Sequence, residues 1–307
     1  MKRKRWLYLL FSCLMLLYGC EDSGGNNDDT QYPTAYEDSP SKTIDELLLA
    51  QSPEIDVAED QDSIVHIDYS NINLGYIRIK RLLKDNRRMK VLIAKADQED
   101  PYYDLDKVGE YETFPLPFGD GEYQITVRLQ NPETKGYALV YSGKFNVTLV
   151  NEQSPFLYPN QVVNYDATTQ TIQKAFELVS NDTNDLQRVK TLYDYVVNHI
   201  TYDYDKSKAT KNTYVLPNVD ETLDSNKGIC FDYAAVMAAM CRSQHIPCKV
   251  IVGDTKEYHA WVEVWLDGMG WINPQILFEG KSWTRLDPTY ASTKAKYDGE
   301  YITKGIY

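Results

Sequence analysis

Three short segments carry residue types that can do covalent chemistry. Gly228-Ile229-Cys230 leads into Phe231–Cys241, a run predicted to be a helix that is apolar almost all round and therefore belongs in a core. Cys230 stands at the start of that helix. Unpaired backbone N–H groups and the helix dipole favour an anion there, so a thiol ionises more readily and an oxyanion finds a donor. A cysteine alone is a weak signal, because free cysteines are often inert packing residues. A base is required, and His259 leads a run that alternates, with His259, Trp261, Glu263 and Trp265 on one face and Ala260, Val262, Val264 and Leu266 on the other. Further on, Trp283-Thr284-Arg285-Leu286 runs into Asp287, an acid at the end of a strand that could hold His259 in the required tautomer. A thiol, an imidazole and a carboxylate so arranged are the equipment for acyl transfer through a thioester.

The elements that must position these groups begin near Pro155. Ile172, Ala175, Phe176, Leu178 and Val179 fall on one helical face, and Leu186, Val189, Leu192, Tyr193, Val196, Val197 and Ile200 repeat the spacing, with Asp182 or Thr183 as N-cap. The stretch from Tyr202 to Asn226 reads as irregular. Lys249–Val252 reads as a strand, Asp267-Gly268 as a turn and Trp271-Ile272 as the returning strand.

Together, Gly228-Ile229-Cys230-Phe231-Asp232-Tyr233-Ala234, His259-Ala260-Trp261-Val262-Glu263-Val264 and Asp287-Pro288-Thr289 resemble, in that order, the Cys, His and Asp boxes of the transglutaminase-like superfamily. Tyr214–Leu216, Leu223 and Ile246-Pro247 also look like bacterial members of that group. The resemblance implies a papain-like fold over 151–307, with helices packed on an antiparallel sheet. It further implies Cys230 as nucleophile, His259 as base and acid, and Asp287 as the residue that orients the imidazole. The backbone N–H of Cys230 would supply part of the oxyanion hole, with Tyr214 as a candidate second donor. Water as the second nucleophile would make a cysteine peptidase or amidase, and an amine would make a protein-glutamine transglutaminase. The calcium sites of animal transglutaminases are not recognisable, which shifts the expectation toward hydrolysis. No cofactor and no metal are expected. Family members usually carry Gly where His245 stands, at a left-handed turn after the helix, so the turn geometry there is open.

Other residues have plainer readings. Cys241 and Cys248, on or just after the apolar helix, read as packing thiols, with a disulfide as the alternative in an exported protein. His245-Ile246-Pro247-Cys248 lacks the second ligand pair of a zinc site. His199 follows an amphipathic helix as a surface or capping residue, and Asp232 either orients the helix or lines the cleft, or equally suits helix-dipole stabilisation at an exposed N-terminus. Trp261 and Trp265 read as cleft walls or sheet packing.

Upstream, residues 44–150 read as a small β-sandwich-like domain. Ile64–Tyr69, Tyr76–Ile79, Met89–Ala94, Tyr123–Leu129 and Tyr137–Val150 are rich in β-branched and aromatic residues, punctuated by Asp120-Gly121 and Asn131-Pro132. The stretch holds no cysteine and a lone His66, which suits a spacer or docking module. The fold class is therefore α+β.

At the N-terminus, Lys2-Arg3-Lys4-Arg5 precedes thirteen almost wholly apolar residues, Trp6 to Tyr18, fewer than the about 20 needed to span a membrane. Leu17-Tyr18-Gly19-Cys20 resembles a bacterial lipobox. This implies a signal peptide over 1–19, a lipid on Cys20, and export to the outer face of a bacterial membrane. A plain secretory signal with Cys20 incidental is the alternative. Residues 20–43 read as a flexible acidic tether, with six acidic residues and one Lys between 21 and 42. The net charge of −13 becomes −17 once the four basic residues of 1–19, which has no acidic ones, are removed, so nucleic acid is excluded as a partner. Expected partners are a protein, peptide or cell-wall peptide substrate, and the membrane through the lipid. A non-catalytic surface binding protein on the same scaffold is the reading from another class.

Overall fold

The computed structural model describes residues 38–96, 98–99, 102–211, 213–254, 258–273 and 302–307. The expected signal peptide, Cys20, the tether as far as residue 37, and Asp287 with its strand lie outside the described residues.

The strand-rich half is built as two antiparallel sheets. One contains β1 (Val57–Glu59), β2 (Val65–Asp68) and β3 (Tyr76–Arg81). The second begins with β4 (Met89–Lys95), which pairs along one edge with the short β5 (Gln98–Glu99) and β6 (Tyr103–Asp104). β7 (Tyr111–Pro115) returns to the first sheet, giving the order β1-β2-β3-β7, while β8 (Gly121–Gln130) and β9 (Tyr137–Val147) complete the second as β5-β4-β8-β9. Side chains alternate across a strand, so Val65, Ile67, Ile77, Ile79 and Phe114 of one sheet meet Met89, Val91, Ile93, Tyr123, Ile125 and Val127 of the other in a shared core. Each such aliphatic side chain contributes roughly 1.5–3 kcal/mol by leaving water. The last strand stops at Val147, short of the predicted Val150, and β7 carries no mark in the sequence reading. Its Tyr111 and Glu112 interrupt the apolar run.

The second half layers helices on a sheet. α1 (Gln170–Leu178) and α2 (Asp185–His199) match the two predicted amphipathic helices. The N-cap of α2 is neither Asp182 nor Thr183 but Asn184, whose side chain accepts from the Gln187 N–H at 3.0 Å. Thr183 is engaged elsewhere, its hydroxyl on Asp38 and its N–H on Gln187. β10 (Thr201–Tyr202) follows. The segment expected to be irregular holds two one-to-two-turn helices, α3 (Tyr204–Thr210) and α4 (Val219–Ser225), capped by Asp203 and Asn218 respectively. β11 (Lys227–Gly228) pairs in parallel with β10 and delivers the chain into α5 (Cys230–Ser243). β12 (Cys248–Asp254), β13 (Tyr258–Leu266), β14 (Gly270–Ile272) and β15 (Ile302–Ile306) form one antiparallel sheet in the order β14-β13-β12-β15. α5 lies between α1, α2 and α4 on one side and β12 and β13 on the other, which is why Phe231 to Ser243 are all buried.

Before reaching the sandwich, the chain crosses the helical half. The Ser39 N–H bonds the Thr183 carbonyl at 2.6 Å, and the Ser41 hydroxyl bonds the Val179 carbonyl at 2.6 Å. The Lys42 N–H reaches Gln244 at 2.9 Å, and the buried Arg188 guanidinium bonds both Ser39 and Ser41 while pairing with Asp185. His245 is left-handed, with φ +59°, as the resemblance anticipates for that turn. Its Nε2–H donates to the Glu46 carbonyl at 2.7 Å, a bond that glycine could not make and that offsets the cost of the backbone conformation.

Candidate active site

The start of α5 is assembled from local constraints. α4 ends on Asn226 in the left-handed region, φ +51°, and the chain turns into the β10–β11 bridge, with the Asp203 N–H on the Gly228 carbonyl at 2.9 Å. Position 228 has no room for a side chain, since a Cβ there would lie 2.8 Å from the Asp232 Cβ and 3.2 Å from the Thr222 methyl. Gly228 thus lets α4 and β11 close down on the first turn of α5. Asp232, at the third helical position, accepts from the Ile229 N–H at 2.9 Å and pairs with Lys206 of α3 at 2.9 Å. It is 2 % exposed, not at an exposed terminus as the sequence suggests. The reason is α3, whose ammonium covers the carboxylate and neutralises it.

Cys230 is the first residue of α5, a free thiol and half-buried, while the thirteen residues after it are buried. Its position puts the sulfur beside the N–H groups of the first turn, which have no partner within the helix. The other two cysteines are different. Cys241 and Cys248 are free and fully buried, and their mutual hydrogen bond, with burial second, raises the Cys241 thiol well above its usual range.

His259 is the second residue of β13, opposite Gly253 of β12, and is 7 % exposed. The predicted alternation holds. Ala260, Val262, Val264 and Leu266 are buried in the core with α5, and Trp261 is buried on the face it shares with His259. Tyr258, just before His259, lies within electrostatic reach of Cys230: loss of water around its hydroxyl raises its pKa, and Asp254 and Cys230 push in the same direction. α5 packs along β13, the strand that begins with Tyr258 and His259. Gly253 also serves the sheet, because a side chain there would strike the Ile302 carbonyl of β15.

Tyr214 is brought to the helix start. Its ring lies 5.9 Å from that of Phe231, and Phe231 in turn lies 6.4 Å from Tyr307. Tyr214 keeps 52 % of its surface in solvent, but crowding at its hydroxyl outweighs a hydrogen bond with Tyr307 and pushes its pKa up to about 12. It remains a proton donor throughout the ordinary pH range. Two residues of the site went unread in the sequence, Lys206 and Tyr258. The acid at Asp232, three positions into a helix that its own carboxylate can cap, was the available signal for a buried partner such as Lys206.

Residues 172–288 match the family model of the transglutaminase-like superfamily, and the matched stretch contains positions 230, 259 and 287. This part of the chain is a transglutaminase-like domain. Among curated proteins, Kyphoscoliosis peptidase of Mus musculus is 26% identical over 105 residues, covering 30% of this chain and 16% of that protein. The chain thus spans about a sixth of that relative's length. Among solved structures, a candidate cysteine protease from Cytophaga hutchinsonii aligns with a TM-score of 0.39 and 16% identity, covering 76% of this chain and 83% of that one. Red sea bream transglutaminase aligns with a TM-score of 0.28 and 12% identity, covering 74% and 56%. The transglutaminase-like domain follows the strand-rich half in the chain, and the whole is α+β.

Proposed function

We propose that the protein is an exported, lipid-anchored thiol acyl-transfer enzyme, a cysteine peptidase or amidase acting on peptide or isopeptide bonds at the outer face of a bacterial membrane. The observation that supports it most is the half-exposed Cys230 thiol at the first position of a long buried helix, inside the stretch that matches a transglutaminase-like domain. The Cys230 thiolate attacks the amide carbonyl. His259 takes the thiol proton and passes it to the departing amine, and water then releases the acyl group from sulfur. Asp287 holds the imidazole, and the Cys230 N–H with the Tyr214 hydroxyl meets the oxyanion. Lys206, paired with Asp232, offsets that carboxylate's charge near the developing thiolate.

Hydrolysis is preferred to transamidation, because a transferase must exclude water from the thioester and hold an amine as well. The test is competition. Wall-derived and glutamine-containing peptides are incubated with the protein, with and without a labelled primary amine. Acid product is expected to dominate, amine incorporation at modest amine concentration would mean a transglutaminase, and absence of both would mean a binding protein. Anchoring is tested separately by mass analysis of the mature N-terminus: a lipid on Cys20 is expected, and a chain starting elsewhere without lipid sinks that part.

A further inference from the structure

The described residues of 151–307 leave six large apolar side chains exposed: Tyr204, Tyr214, Val215, Leu216, Tyr258 and Ile302. Leu216 lines a cleft against β3 and β7. The other five border the start of α5, while at its far end Cys241, Arg242, Ile246 and Cys248 are all buried. Topology places them. α5 has 14 residues and rises about 21 Å, and after the turn at 244–247 β12 runs back along it for 7 residues, about 23 Å, so Asp254 returns to the level of Cys230. Asp254 pairs with Tyr258 of β13 on one side and Ile302 of β15 on the other, which brings both to that end. Tyr258 is 60 % exposed and lies within electrostatic reach of Cys230 and of Tyr214. The Tyr214 ring is 5.9 Å from that of Phe231, the residue after Cys230, and Val215 follows Tyr214 in the chain. Tyr204 packs edge-on to Tyr202 at 4.9 Å, and Tyr202 pairs with Gly228, two residues before Cys230.

Apolar surface gathered in this way marks a place where something else is bound. The chain as a whole is acidic, with a net charge of −13, yet two acids at this end carry their own cations: Asp232 pairs with Lys206 at 2.9 Å, and Asp254 pairs with Lys304. That disfavours a cationic occupant. Val215 and Ile302 have no side-chain group for the hydroxyls of a sugar, whereas tyrosine rings offer edges and faces to another aromatic ring. We propose that this rim receives an aromatic side chain next to the amide bond that Cys230 attacks, so that the substrate is a peptide with phenylalanine or a similar residue beside the scissile bond. This rests on the reading of Cys230 as the nucleophile of a peptidase or amidase and names the substrate class of that site.

The test is the rate at which the full chain is labelled at Cys230 by N-acetylphenylalanyl chloromethyl ketone and by its alanyl and lysyl counterparts, read by peptide mass analysis. In each case the Cys230 sulfur forms a C–S bond, chloride leaves and the thiol proton goes to solvent, so the three probes differ only in the side chain beside the reacting carbon. The phenylalanyl probe is expected to label about tenfold faster than the alanyl one. Dividing by the alanyl rate removes any change in the thiol itself. Tyr258→Ser should take most of that ratio away and Ile302→Ser part of it; both side chains are exposed, and Ile302→Ser decides alone if Tyr258→Ser unfolds the protein. Leu139→Ser, at an equally exposed apolar residue of β9, should leave the ratio unchanged. Equal phenylalanyl and alanyl rates, a faster lysyl probe, no labelling of Cys230, a ratio untouched by both rim variants or one lost equally in Leu139→Ser would each overturn the proposal. Hydrolysis of N-acetylated peptides carrying phenylalanine or alanine separates the two readings. Preferential labelling without hydrolysis removes the enzyme and leaves the rim, and hydrolysis of both peptides at one rate removes the rim and leaves the enzyme.

Discussion

The two ends of α5 are made of similar parts put to opposite use. At its beginning are a cysteine, an acid and a lysine; at its end are two cysteines and an arginine. The first end is open, because Gly228 and the neutralised Asp232 hold the backbone in place while Cys230 keeps part of its surface in solvent. The second is sealed. Arg242 is fully buried and bonds the carbonyls of Tyr158, Cys248 and Tyr307 at 2.7 to 3.0 Å, tying three separate segments to one side chain. Burial lowers the pKa of that guanidinium, and the hydrogen bond with Cys248, with burial second, raises that of the Cys241 thiol, each toward its neutral form. A cysteine's neighbourhood, and not its presence, separates a candidate nucleophile from packing material.

The largest effect should come from the open end. Cys230→Ala and His259→Ala are each expected to reduce amide turnover by on the order of 10⁴-fold or more, with the double variant no worse, since they act as one unit. Cys241→Ala and Cys248→Ala should keep turnover, and labelling of either thiol by an electrophilic amide probe while Cys230 stays inert would reverse the comparison. Next comes the sealed end. Arg242→Met leaves several carbonyls without donors and should cost roughly 3–5 kcal/mol in urea unfolding. Asp232→Ala should cost about 1–2 kcal/mol by the same measurement, through loss of the cap on Ile229.

The smallest effect concerns Tyr214. Its folded pKa, about 12, lies above the unfolded value of about 10, so the native state holds the proton more tightly. Tyr214 is 52 % exposed, so solvent screens much of this shift and the associated stability is small; it is present below pH of about 10 and is lost as pH rises through about 12. Tyr214→Phe should flatten the unfolding free energy across that window. An unchanged slope would mean that the hydroxyl is better hydrated than its surroundings suggest.

What the sequence displays depends on the range of the physics involved. Strict alternation made β2, β3, β4, β8 and β13 readable, and 3.6-residue periodicity did so for α1 and α2, because a half-buried element repeats its pattern along its own length. α3 and α4 are seven residues each, too short for a period, although Asp203 and Asn218 carried local caps. β15 is placed by pairing with β12, about fifty residues away, and Arg242 by carbonyls from three remote segments. Neither leaves a local trace. The placement of Cys230 at a helix start and of His259 on a strand was legible because helix starts and strand alternation are local. The opening at the α5 start was not, since it depends on Gly228 meeting Asp232 and on Lys206 arriving from α3.

The docking of 38–46 across the helical half has a mechanical consequence. A pull on the chain from upstream of Asp38 does not reach the sandwich first. It falls on the Ser39 and Ser41 bonds to Thr183, Val179 and Arg188, at the head of α2, and then on the His245 bond to Glu46 at the tail of α5. The sheets, which begin at Val57, take load only after these bonds give way, so traction falls first on the helical half.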